Sequence, residues 1–249
     1  MMKKLILSTL LLFSNYTFAD SLSASEQKEI QYIINLFKKN DSNEISNTIR
    51  YPLNREEPIP SIDNKAQMKQ RFQQVFDHKL VQNIATSKLT QWESMGWRGI
   101  MLDHGTIWIS NKQITAVNYS SDAEQQYKNQ LILKQKNKLY LSLKNFKAPE
   151  LQFKTAKFQV RIDEMQNGQY RYASWDVMQS QSQKPDLILN NGIVVMDGSG
   201  GNHHFIFKSG TFEYVVYRNI LGTNKTSDVT LEVNKKGKTI LTQAGKLFQ

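Results

Sequence analysis

The hydrophobic period changes once along this chain, and that change limits the available folds more than any other feature. In the first half, apolar residues recur at helical spacing: Ile30, Ile33, Ile34 and Phe37 share one face, as do Met68, Phe72, Val75 and Phe76. From Leu139 onward the period is two. Phe158, Val160 and Ile162 alternate with Gln159, Arg161 and Asp163, the pattern of strands with one buried face. Helices followed by a run of strands predict an α+β chain, not interleaved βαβ units.

Capping signals place the helices. Ser23 with Glu26 forms a capping box for a helix over about Ala24 to Lys39. Asp41 with Glu44 opens a short second helix carrying Ile45 and Ile49, which ends before Tyr51-Pro52 because a residue before proline avoids the helical region. Asn54 to Pro60 is irregular. Asn64 with Gln67 opens a third helix, continued by Leu80, Val81 and Ile84, and Ser120-Ser121-Asp122 caps a polar helical segment to about Lys134.

Between these helices, Trp97 to Tyr119 reads as three short strands joined by two tight turns, one using Gly105 and the other Asn111-Lys112. In the second half, Leu139, Leu141 and Leu143 read as a strand. Gln166-Asn167-Gly168 turns the chain, and Asn190-Asn191-Gly192 divides Leu187 to Leu189 from Ile193 to Val195. Further strands fall near His203 to Lys208, Phe212 to Arg218, Val229 to Val233 and Thr239 to Thr242. Many short strands with regular turns predict an antiparallel barrel or sandwich.

The expected organisation is therefore a signal peptide over 1–19, an α+β domain over 20–120, a polar helical linker over 121–137 and an all-β domain over 138–249. Lys3 and Lys4, the apolar run Leu5 to Phe13 and the small exit at Ala19 follow the secretory pattern, which predicts a periplasmic or secreted protein cut near Ala19. That run is too short for a bilayer span, which takes roughly 20 residues, and no later stretch qualifies.

The chain has no Cys, so its stability is expected to rest on packing alone. Its formal charge of +10 falls by two, to +8, when the signal lysines are removed. Such a surface suits anionic partners. Lys and Arg are spread along the chain, without the clustered footprint of nucleic-acid binding.

Acid–base chemistry has three candidates, Asp103, His104 and Tyr119. Adjacent strand residues diverge, and Asp-His-Gly is good turn chemistry, so a turn is the favoured role for Asp103 and His104. His203-His204 lacks a partner two positions away for a chelating face, and no metal or other cofactor is expected. Gly198 to Gly201 lacks the Lys-Ser or Lys-Thr of a phosphate loop, and Ser174 and Ser199 lack a hydrolase elbow. Trp92, Trp97, Trp108 and Tyr119 supply aromatic area for either a core or a binding face. Tyr51 and Arg55 sit in the irregular proline segment and complete the candidate binding set.

The first half resembles the nuclear transport factor two-like superfamily over residues 24 to 120. The resemblance is carried by an N-terminal helix, a short second helix ending near Tyr51-Pro52-Leu53, a third helix, and strands containing Gly96-Trp97-Arg98-Gly99 and Gly105-Thr106-Ile107-Trp108. It implies a cone of helices against a curved antiparallel sheet, in the style of secreted bacterial proteins. Members include both enzymes and binding modules, so the likeness implies a fold and not an activity.

Three functions are expected from these features. The first is a non-catalytic periplasmic binding protein, in one form an inhibitor or immunity-type protein against an envelope-directed partner. The second is a small-molecule enzyme using Asp103, His104 or Tyr119 within the cone. The third is attachment to an anionic envelope surface. The expected partners are a periplasmic protein or small ligand, without nucleic acid or a transmembrane segment.

Overall fold

The computed structural model describes residues 22–198, 200–223 and 225–248. The expected signal peptide and Ser199 lie outside these residues. In chain order the elements begin with helices α1 (Ala24–Lys39), α2 (Ser42–Asn47), α3 (Lys65–Val75) and α4 (His78–Thr86). Strands β1 (Trp92–Ser94), β2 (Ile100–Leu102), β3 (Ile107–Ser110) and β4 (Gln113–Val117) follow, then helix α5 (Asp122–Lys138). The remaining strands are β5 (Ala148–Lys154), β6 (Phe158–Glu164), β7 (Tyr170–Asp176) and β8 (Leu187–Met196), then β9 (His203–Ser209), β10 (Phe212–Arg218), β11 (Val229–Lys235) and β12 (Lys238–Leu247). The chain is α+β with a closed barrel. Among the described residues, no helix is long and apolar enough to cross a membrane.

Two compact units result. One combines the described residues up to Tyr51 with Phe76–Tyr119; the other combines Pro52–Val75 with the described residues from Ser120 onward.

In the first unit, α1 starts at the capping box: the Ser23 side chain accepts from the Glu26 backbone, and the Glu26 carboxylate accepts from the Ser23 N–H at 2.7 Å. It ends at Asn40 with φ +53, a left-handed C-cap that asparagine tolerates. Ile30, Ile33, Ile34 and Phe37 are buried, α1 packs on α4, and Phe37 meets Phe76 at 5.5 Å. The strands form an antiparallel meander in the order β1-β2-β3-β4. Asn111 and Lys112, with φ +53 and +57, make the β3–β4 turn, the paired positive φ of a type I′ hairpin.

The helix read as continuous from Asn64 to Ile84 is two helices. Asp77 breaks it by accepting from the Leu80 N–H at 2.9 Å, capping α4.

In the second unit, eight antiparallel strands close in the order β10-β11-β12-β5-β6-β7-β8-β9. The seam between β12 and β5 is short, pairing Lys246 with Lys154 and Leu247 with Phe153. Alternation puts Phe153, Val160, Ile162, Tyr172, Phe205 and Phe207 together in a packed lumen, as expected for a barrel of this strand number. β6 and β7 are buried on both faces because their outer side is covered: Ile132, Leu139, Leu143 and Phe146 pack on Ala173 and Trp175.

Three expectations change here. Leu139 to Leu143 is not a strand; a single 3-10 turn buries Leu143 and leaves Leu141 exposed, a spacing that imitates alternation. Asn190-Asn191-Gly192 is not a turn, because β8 runs through it as a bulge with Asn191 at φ +60. A Cβ at Gly192 would lie 2.1 Å from the Phe207 ring, so the bulge needs glycine to pass that ring.

The third concerns the segments assigned to the first domain and the linker. Residues 52–75 group with the barrel, and 121–137 is the N-cap and body of α5, where Glu124, Lys128 and Ile132 are buried. Ion pairs connect them. The Arg55 guanidinium donates to Glu124, with one contact at 2.8 Å, and Lys128 pairs with Glu56. On α5, Glu124 and Lys128 are the buried members of these pairs.

Candidate functional site

The residues singled out in the sequence occupy separate places. Trp92 is core, 3% exposed, with its indole N–H donating to the Ser87 hydroxyl at 3.0 Å. Trp108 is half-buried under the Arg98 guanidinium, 5.6 Å from its ring. Trp97 stands 75% exposed on the β1–β2 turn, between Gly96 and Gly99 with φ +61 and +97. Tyr51 donates to the Ser46 carbonyl at 2.9 Å, and burial raises its pKa. Arg55 is committed to the buried pair with Glu124.

Asp103 and His104 both take positive φ, +42 and +56, in the β2–β3 turn. The Asp103 carboxylate accepts from Asn83 at 3.3 Å and Gln91 at 3.2 Å, whereas His104 is exposed. Tyr119 donates to Asp77 at 2.8 Å and so reinforces the α4 cap. One depression in this unit is an open groove of about 380 Å³ bordered by Tyr32, Asn35, Lys39, Glu44 and Lys112.

In the barrel unit, His203 and His204 turn apart: the first meets Phe205 edge-on, and the second lies 2.9 Å from the Asp197 carboxylate. Among the described residues no group of three His, Asp or Glu is placed to hold a metal ion.

The barrel supplies a site of another kind. At the end bordered by the β5–β6, β7–β8, β9–β10 and β11–β12 connections, packing stops short of the rim and leaves a cup of about 290 Å³. Its floor is Tyr172, Tyr214 and Leu231, with Tyr172 packed on Phe207 at 5.5 Å and on Tyr214 at 5.8 Å. Phe158, Leu187, Phe212 and Val233 make the wall, each at or near the end of its strand. Ile240 and Leu241 form the lip, where Ile240 is 54% exposed.

No family model, curated protein or solved structure matches the chain. The site therefore has to be read from its own chemistry.

Polar groups in the cup are few. Burial pushes the Tyr172 phenol up to about 12, partly offset by its hydrogen bond with Ser174, so it stays protonated at neutral pH and remains a neutral donor. Ser174 lines the same wall. Asp186 is the one charged lining residue; it is exposed at the lip and accepts from the Asp176 N–H at 3.0 Å. A concave apolar surface with a few hydroxyls holds and orients an apolar group.

Sequence reasoning missed this cup. Alternation puts Phe158, Val160 and Ile162 on one face of their strand, but parity does not reveal where packing ends.

Proposed function

We propose that the protein is a non-catalytic binding protein whose ligand site is the cup in the barrel mouth. One observation carries this: aromatic and aliphatic side chains from six strands line an open apolar cup above a lumen that is otherwise filled. Its volume lies near the lower end of the roughly 300–1,000 Å³ common for ligand pockets, which suits one short alkyl chain or one ring.

A periplasmic or secreted setting is part of the proposal, supported by the sequence of residues 1–19. So is the nuclear transport factor two-like character of the first unit, supported by helices α1, α2 and α4 preceding a four-stranded meander. In this scheme that unit and its exposed Trp97 are the face for a protein partner, since large exposed aromatics are frequent interface anchors.

The test is displacement of an environment-sensitive apolar dye from the full chain by decanol. Wild type is expected to bind the dye and release it to decanol. Val233→Phe, which fills the cup from its wall, is expected to weaken dye binding about tenfold or more, near 1.4 kcal/mol. Equal dye binding by wild type and Val233→Phe, with both folded by thermal melting, overturns the assignment.

A further inference from the structure

The charges at the rim of the cup are segregated by sign. Lys235 pairs directly with Phe212, and Lys238 pairs directly with Lys235. Directly opposed residues share a face of the sheet, so both lysines stand on the inner side, above the wall formed by Phe212. The Lys235 ammonium lies 5.1 Å from the Phe212 ring centroid. On the β7–β8 side, Asp186 lines the cup, and Asp176 pairs directly with the lining residue Phe158. Around the ring, β11 is four strands from β7 and β12 four strands from β8, so lysines and aspartates face one another across the mouth.

Neighbouring charges leave that separation intact. Lys208 is paired with Glu213 at 3.9 Å on the outer side. Lys157 precedes the inward Phe158 and takes the opposite face. Lys236 lies in the β11–β12 turn, on the lysine side, and Lys184 shares the β7–β8 loop with Asp186, where two carboxylates outnumber it.

We infer that the cup takes a zwitterionic amphiphile, with its apolar tail between Phe158, Phe212 and Val233, its anionic group at Lys235 and Lys238, and its cationic group at Asp176 and Asp186. This rests on the cup being the binding site, and it adds the class of head group. A purely anionic or purely cationic amphiphile meets one favourable edge and one repulsive edge. A zwitterion meets two favourable edges. The lysine stems are long and exposed, so the ammonium groups adjust to the head.

The experiment titrates the full chain with three probes of equal tail length, kept below micelle-forming concentrations: decylphosphocholine, decyl phosphate and decyltrimethylammonium. Decanol serves as the neutral reference. Decylphosphocholine is expected to bind roughly fivefold more tightly than either singly charged probe, the scale of two or three exposed charge contacts. Lys235→Gln with Lys238→Gln is expected to weaken the phosphocholine and phosphate probes and strengthen the ammonium probe. Asp176→Asn with Asp186→Asn is expected to weaken the phosphocholine and ammonium probes and strengthen the phosphate probe. Equal binding of all three charged probes, or both paired variants shifting every probe alike, overturns the head-group assignment while decanol binding upholds the cup. Failure of decanol and all three charged probes to bind overturns both.

Discussion

Tyr172 and Phe207 meet in the barrel with ring centroids 5.5 Å apart and planes tilted by 55°. This contact divides the barrel into two zones. Below it the lumen is packed with side chains; above it lies the cup.

The phenol of Tyr172 gives the contact a signature in pH. Its pKa rises from 10.0 to about 12 through burial, so the folded state holds the proton more tightly than the unfolded state. The resulting stability is fully present below about pH 10 and is lost as pH rises through about 12, amounting to roughly 3 kcal/mol. Tyr172→Phe is expected to flatten that part of the alkaline stability profile, measured by urea unfolding between about pH 9 and pH 12. A profile of unchanged steepness would remove the assignment.

Gly192 tests the packing from the neighbouring strand. A Cβ there would sit 2.1 Å from the Phe207 ring, which is itself wedged against Tyr172. Gly192→Ala is expected to cost about 1–3 kcal/mol through overpacking, and Phe207→Leu in the same chain is expected to recover part of it. The two single variants and the double variant, compared by denaturant melts, supply the coupling energy.

On the outer side of the barrel, Asp163 is shared by two guanidinium groups. Arg161 Nε donates to it at 2.6 Å and Arg171 Nη2 at 2.7 Å, all three side chains being nearly fully buried. Arg161 also stacks 4.8 Å from the Phe146 ring and reaches Gln135, and Arg171 donates to the Leu143 carbonyl. Asp163→Asn leaves two buried cations without their counter-charge. The expected loss is about 3–5 kcal/mol, read by urea melting. A loss below about 1 kcal/mol would show that water reaches the cluster.

Glu150 lies at a bulge in β5, and its pKa is raised by burial first and then by Glu164, Glu57 and Glu56, with Lys128 opposing. The folded state therefore favours its protonated form. That stability is present below the ordinary value of 4.5 and is lost as pH rises through the higher folded value. Glu150→Gln is expected to raise the melting temperature at about pH 7 and to leave it unchanged at about pH 4. A gain of equal size at both values would point to packing instead of charge.

Much of the local structure was legible because its chemistry is local. Ser23, Asp41 and Ser121 cap helices as the sequence indicates, and Asn111-Lys112 makes the expected turn. Misreadings arose where a local pattern serves a distant contact. Asn190-Asn191-Gly192 has the composition of a hairpin turn, yet it is a bulge because Phe207, from the next strand, occupies the space beside Gly192. Asp77 was overlooked as a cap because Val75, Phe76, Leu80 and Val81 keep helical spacing across the break.

The candidate site was less legible than the fold. Asp103, His104 and Tyr119 drew attention by residue type, but their partners Asn83, Gln91 and Asp77 assign them to a turn and a helix cap. The cup draws on residues from Phe158 to Leu241. Its depth depends on how far Tyr172, Tyr214 and Leu231 fill the barrel, a sum over six strands that no single stretch displays.

The most direct measurement is methyl-resolved chemical-shift mapping of the full chain titrated with decanol. The largest shifts are expected at Leu187, Leu231, Val233, Ile240 and Leu241 around the cup, with Ile107, Ile109 and Ile114 of the meander unmoved. Shifts centred on the meander or the helices, or no saturable shift at the cup methyls, would contradict a ligand site in the barrel mouth.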